Sequence, residues 1–102
     1  MAEHRTIACS LSAAQLSERG DELAELAGRA LAGREREDGR VRLRFRAEPG
    51  VAEQVEDLAR RERECCPFLD LSVEREDGLV TLSIAGGPDA APILDGFYEL
   101  AP

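Results

Sequence analysis

Between Arg40 and Arg46 the chain alternates without a break, with Val41, Leu43 and Phe45 on one side and Arg42, Arg44 and Arg46 on the other. A two-residue period is that of a β-strand with one buried and one wet face. The same period returns twice. Leu69, Leu71 and Val73 alternate with Asp70, Ser72 and Glu74, and Val80, Leu82 and Ile84 alternate with Thr81 and Ser83. Asp77-Gly78 between these two runs is a hairpin signal, and Asp38-Gly39 marks a turn before the arginine-flanked strand. Residues 6–11 form a fourth candidate strand, with Ile7, Cys9 and Leu11 on one face. Each strand has one apolar face, so helices should cover the sheet on one side only.

Three helices are expected. Ser12 and Gln15 fit a capping box, after which Leu16, Leu23, Leu26, Ala27, Ala30 and Leu31 recur at helical spacing as far as a stop at Gly33. Residues 34–39 then read as a charged connection ending in Asp-Gly. A second helix runs from residue 51 to residue 66, bounded by Pro49-Gly50 and Pro67. A third follows Gly86-Gly87-Pro88, capped by Asp89 and carrying Ile93, Leu94, Phe97 and Leu100. The resulting expectation is one α+β domain over residues 1–102. It is a two-layer sandwich in the order β-α-β-α-β-β-α, with a four-stranded sheet and helices on one face. The arginine row belongs to the outer sheet face, opposite acids such as Glu74 and Asp70. It reads as a solvated, ion-paired surface, with a homodimer contact across this face as the alternative.

Composition narrows the function classes. A hydrophobic content of 43% and a charged content of 33% over 102 residues suit one soluble domain. No apolar run approaches the ~18–20 residues of a membrane span. Net charge is -8, with 21 acids against 13 bases, which argues against phosphate neutralisation and hence against nucleic acid as a partner. The opening Met1-Ala2-Glu3-His4-Arg5 lacks the apolar core of a signal peptide, so a cytoplasmic protein is expected.

The chemistry points to Glu62-Arg63-Glu64-Cys65-Cys66-Pro67-Phe68. Three cysteines, an odd number, in a chain of this kind suggest thiol chemistry or metal binding rather than a disulfide framework. On a helical wheel of about 100° per residue, Leu58, Val51, Val55, Cys65 and Cys66 share one stripe roughly 100° wide, and Glu62 falls at its middle. Arg61 and Glu64 fall outside it and are expected to face solvent. A carboxylate in an apolar stripe is expensive unless paired or functional. It stands three and four residues before the two thiols, the spacing of neighbours on a helix surface. Cys9, on the apolar side of its strand, is a candidate third thiol.

Thiolates select soft ions, so the candidate cargo is Hg, Cu(I), Zn or As(III). Adjacent cysteines match neither a four-ligand structural zinc site nor the C-x-x-C redox spacing, and a disulfide between neighbours is strained. The negative end of the helix dipole and an ionised Glu62 both disfavour a free thiolate, whereas a bound cation reverses both effects. Cys65, Cys66, Cys9 and Glu62 therefore form the expected metal set, for sequestration or delivery. Two alternatives stay open. One is a thiol-dependent enzyme such as an organometal-cleaving lyase, with Glu62 supplying the proton. The other is a metal-free interaction or regulatory domain whose cysteines pack as small apolar groups. His4 reads as a surface residue and Tyr98 as core packing, and Asp70 alternates to the outer face.

The run Glu62, Cys65, Cys66, Pro67, Phe68, Leu69 and Asp70 resembles that of a group of small, little-characterised bacterial proteins. Thr6-Ile7-Ala8-Cys9, Asp38-Gly39 and Gly87-Pro88 match the same group, so the resemblance spans most of the chain, with the Glu-x-x-Cys-Cys-Pro-Phe motif as its specific part. Some of these proteins stand near or fused to heavy-metal-responsive regulators. The resemblance thus implies mercury or a similar soft metal.

Overall fold

The computed structural model describes residues 13–65 and 68–99, and side chains over 20–64 and 68–99. Helix α1 (Ala13–Ala30) runs directly into β1 (Leu31–Glu37), which turns at Asp38-Gly39 into β2 (Arg40–Arg46). After Pro49-Gly50 comes α2 (Val51–Cys65), then the hairpin of β3 (Asp70–Glu76) and β4 (Leu79–Ala85). A single 3-10 turn, Pro88–Ala90, leads into α3 (Ala91–Glu99). The four strands are antiparallel in the order β1-β2-β4-β3. The protein is thus an α+β sandwich with helices on one face, and its described elements follow the order α-β-β-α-β-β-α.

Strand parity builds the core. Val41, Leu43 and Phe45 of β2 meet Ile84, Leu82 and Val80 of β4 in direct register, and all six are 0–2% exposed. Over them lie Val51, Val55, Leu58 and Ala59 of α2, Leu23, Leu26, Ala27 and Ala30 of α1, and Leu94 of α3. Each large apolar side chain buried this way contributes about 1.5–3 kcal/mol relative to exposure. The β3–β4 turn has positive φ at both central residues, 50° at Asp77 and 78° at Gly78. That backbone twist matches the hand of the flanking strands.

Gly86 closes the far end of the sheet. Its N–H donates to the Gly39 carbonyl at 3.0 Å. A Cβ built there would lie 2.8 Å from Ala90 Cβ and 3.1 Å from Leu69 Cδ2, so the approach of the last helical segment requires glycine.

The strand expected at residues 6–11 lies outside the described residues. Three other expectations are revised. The fourth strand of the sheet is β1, which occupies most of the stretch expected to be a charged connection, and α1 stops at Ala30 before Gly33. No side chain of β1 is fully buried. Among the described residues it is an edge strand, held by backbone pairing to β2, so it carries no hydropathy period to read. Asp89 lies inside the 3-10 turn rather than in the flanking position expected of a cap.

The arginine row does face outward, but its ion-pair partners differ from those expected. Arg42 lies 3.3 Å from Glu37 and 3.7 Å from Glu35, and Arg44 lies 3.2 Å from Glu35. These acids are on β1, adjacent to β2, whereas Asp70 and Glu74 are on β3, beyond β4. On the covered side, Arg36 of β1 pairs with Asp95 of α3 at 2.9 Å. Arg34 stacks 5.0 Å from the Tyr98 ring centroid and donates to the Tyr98 carbonyl at 3.1 Å. Tyr98 accordingly packs against the core.

Candidate metal centre

Helix α2 carries its apolar residues on the face that packs on the sheet, and Glu62 belongs to that face. It is 8% exposed and is the one charged residue in the buried set among the described residues. The wheel position therefore translates into burial. Glu62 is engaged in a polar or electrostatic contact there. One turn later the helix ends at Cys65. Arg63, in that last turn, donates to the Leu71 carbonyl of β3 at 3.2 Å, which ties the helix end to the start of the sheet edge. Phe68 and Leu69 continue the packing beyond it, with Leu69 5% exposed.

The flank of α2 beside Glu62 is charged and ordered. Arg61, expected to face solvent, instead grips Glu22 of α1 through two parallel contacts, Nη1–Oε1 at 3.0 Å and Nη2–Oε2 at 2.7 Å. Its Nε lies 2.9 Å from Asp57. The physical reason is α1, which stands against that flank of α2. The hydrogen bond to Glu22 raises the Arg61 pKa, keeping it a permanent cation. Asp57 also accepts from Arg60 at 2.6 Å, and that bond, with the nearby Arg61 charge, holds its carboxyl below the ordinary range. Glu64 is exposed as expected, with a 68% accessible side chain paired to Arg60 at 3.2 Å.

Two contacts fix the relative direction of the helices. Glu22 meets Arg61, and Arg29 donates to Gln54 at 2.8 Å, so α1 and α2 run antiparallel. The start of α1 and the end of α2 consequently lie at the same end of the molecule. Of the expected metal set, Glu62 is placed as described, and Cys65 is the terminal residue of α2. The Cys65 side chain, Cys66 and Cys9 lie outside the described residues. Among the described residues, no three His, Cys, Asp or Glu side chains converge on one point.

An open groove of about 430 Å³ that the sequence reading did not anticipate sits at the opposite end of α2. It lies between Pro49-Gly50 and the Asp77-Gly78 turn, with Glu48, Glu53 and Glu76 in its walls. The sequence signal for it is the pair of turns, whose meeting is made by the Ala47 N–H donating to the Gly78 carbonyl at 2.9 Å. Helix α2 is about 21 Å long at 1.5 Å per residue, so this groove is remote from Glu62 and shares no residue with the expected site.

No protein-family model, curated protein or solved structure matches the chain. Among the described residues, no helix is long and apolar enough to cross a membrane.

Proposed function

We propose that the protein binds a thiophilic metal or metalloid ion through Cys65 and Cys66, with Glu62 as a ligand or as a base beside them. The observation that carries this reading is the burial of Glu62 one helical turn before two adjacent thiols. Beyond the contact it already makes, a carboxylate three and four residues before two thiols is a donor that can join them on one ion. The negative end of the α2 dipole favours a cation at the same place. Cys9 completes a three-thiol set. It stands four residues before the start of α1, a span of at most about 14 Å of extended chain, and α1 begins at the end of the molecule where α2 finishes. Sequestration or delivery of the ion is the resulting role, and the resemblance to proteins associated with heavy-metal regulators favours mercury.

Titration of the reduced protein with Hg(II), Cu(I), Zn(II) and arsenite tests the reading. Ultraviolet thiolate-to-metal absorbance should rise to a stoichiometric end point while free thiols fall by two or three. The Cys65→Ser/Cys66→Ser double variant should lose the signal and keep the fold. Glu62→Gln should weaken binding by about 10–100-fold, the usual effect of removing a group that supports metal ligands. Absence of any absorbance or thiol change with all four ions overturns the proposal. Release of the hydrocarbon from an organomercury compound, lost in Glu62→Gln, would replace carriage with carbon–metal bond cleavage.

A further inference from the structure

The outer face of the sheet is organised in columns of charge. Residues 40, 42, 44 and 46 of β2 form an arginine column, and β4 beside it presents the smaller Ala85, Ser83 and Thr81 together with Leu79. Asp70, Ser72, Glu74 and Glu76 of β3 form the third column. The register aligns these in rows. Arg40, Ala85 and Asp70 share one row, Arg44, Thr81 and Glu74 another, and Arg46, Leu79 and Glu76 a third. Arg42 and Arg44 lean toward the β1 acids on their other side, and Arg46 pairs with Glu48 at 2.9 Å and donates to the Arg29 carbonyl, so it contributes least to the column's free charge. Among the described residues, the β3 acids Asp70, Glu74 and Glu76 carry no ion pair, so this column is exposed and uncompensated in one copy.

We infer that this face docks a second copy of the chain, about a two-fold axis running along β4. Such an axis lays β4 on β4 and each arginine column over the partner's acid column, with rows preserved. Arg44 then stands over the partner's Glu74, Arg40 over the partner's Asp70 and Arg46 over the partner's Glu76. The small residues of β4 let the two faces approach, and an arginine opposed to a glutamate spans the ~10 Å between packed sheets. A two-fold axis across the strands would instead lay arginine on arginine. Aligned sheets cross at about 30°, so the middle rows meet best, and Arg44 with Glu74 is the central charged pair.

Three overlapping strands of this length offer roughly 300 Å² of flat area per copy (about 14 Å by 23 Å). The dimer is therefore a weak, reversible one. Two copies at a net charge of -8 each also repel at long range, so salt acts on both attraction and repulsion, and charge exchange is the discriminating test. The full chain is compared by sedimentation equilibrium with Arg44→Glu and Glu74→Arg, both at exposed or half-exposed positions and both checked for fold by circular dichroism. Each variant alone creates two like-charge contacts by symmetry and should raise the dimer dissociation constant by at least about tenfold. An equimolar mixture of the two should regain association, because every contact is again Arg against Glu. The Arg44→Glu/Glu74→Arg double variant should do so by itself. Wild-type protein that is monomeric up to about 1 mM, or a mixture that associates no better than its components, overturns the inference.

Discussion

On the covered face of the sheet Val41, Leu43, Phe45, Val80, Leu82 and Ile84 are shut off from water, while Arg42, Arg44, Thr81 and Ser83 between them stay in contact with it. The two faces are made by the same two strands, one residue apart. Inside, stability comes from volume and apolar area, and a lost atom leaves a void. Outside, neighbours are charged and half-solvated, and a lost contact is replaced by water. The difference teaches that energetic weight here follows parity rather than position along the chain.

Four substitutions and a pH measurement bear on that contrast. Phe45→Ala removes the largest fully buried side chain and should cost about 3–5 kcal/mol in urea unfolding; a cost near zero would break the contrast outright. Gly86→Ala forces a Cβ to within 2.8 Å of Ala90 and should cost about 1–3 kcal/mol through overpacking, seen as a lower melting temperature. Glu22→Gln loosens the two-point contact with Arg61 between α1 and α2 and should cost about 1 kcal/mol or less, as the pair is partly solvated.

The pH effect is smaller still. The hydrogen bond from Arg60 lowers the folded-state pKa of Asp57, so its contribution is present above the unfolded value of about 3.9 and is lost as pH falls through the lower folded value. Asp57→Asn should therefore lack that part of the acid-side loss of stability when denaturation is followed from neutral to low pH. Arg42→Thr on the outer face should change stability by no more than about 0.5 kcal/mol. A large effect there would mean that the outer ion pairs hold the monomer together.

The same parity decided what could be read in advance. Phe45, Leu82 and Leu71 sit in unbroken two-residue periods, so their strands, turns and buried side were legible. Glu62 was legible because a helical repeat converts chain spacing into direction, and its direction is the packed face. β1 was not, because an edge strand without a buried residue has nothing to alternate except charge. Arg61 was misjudged for a different reason. A wheel gives the direction of a side chain but not what stands there, and its partner Glu22 belongs to another helix 39 residues away. The position of Cys9, outside the described residues, is likewise a matter of tertiary placement, which spacing within one element does not encode.

Strand β1, which stands at the edge of the sheet among the described residues, has a consequence for the behaviour of the protein in concentrated solution. Its residues Arg34 and Arg36 belong to the covered side and Glu35 and Glu37 to the open side, so each side of the ribbon bears one sign. When two copies of a strand pair antiparallel about a two-fold axis, residues that face each other come from the same side. Any such pairing through this stretch must set arginine against arginine and glutamate against glutamate, which destabilises the ladder. The charge alternation thus guards the row of backbone donors and acceptors that β1 leaves unpaired among the described residues against sheet extension from one molecule to the next, the route by which exposed edges seed fibrils.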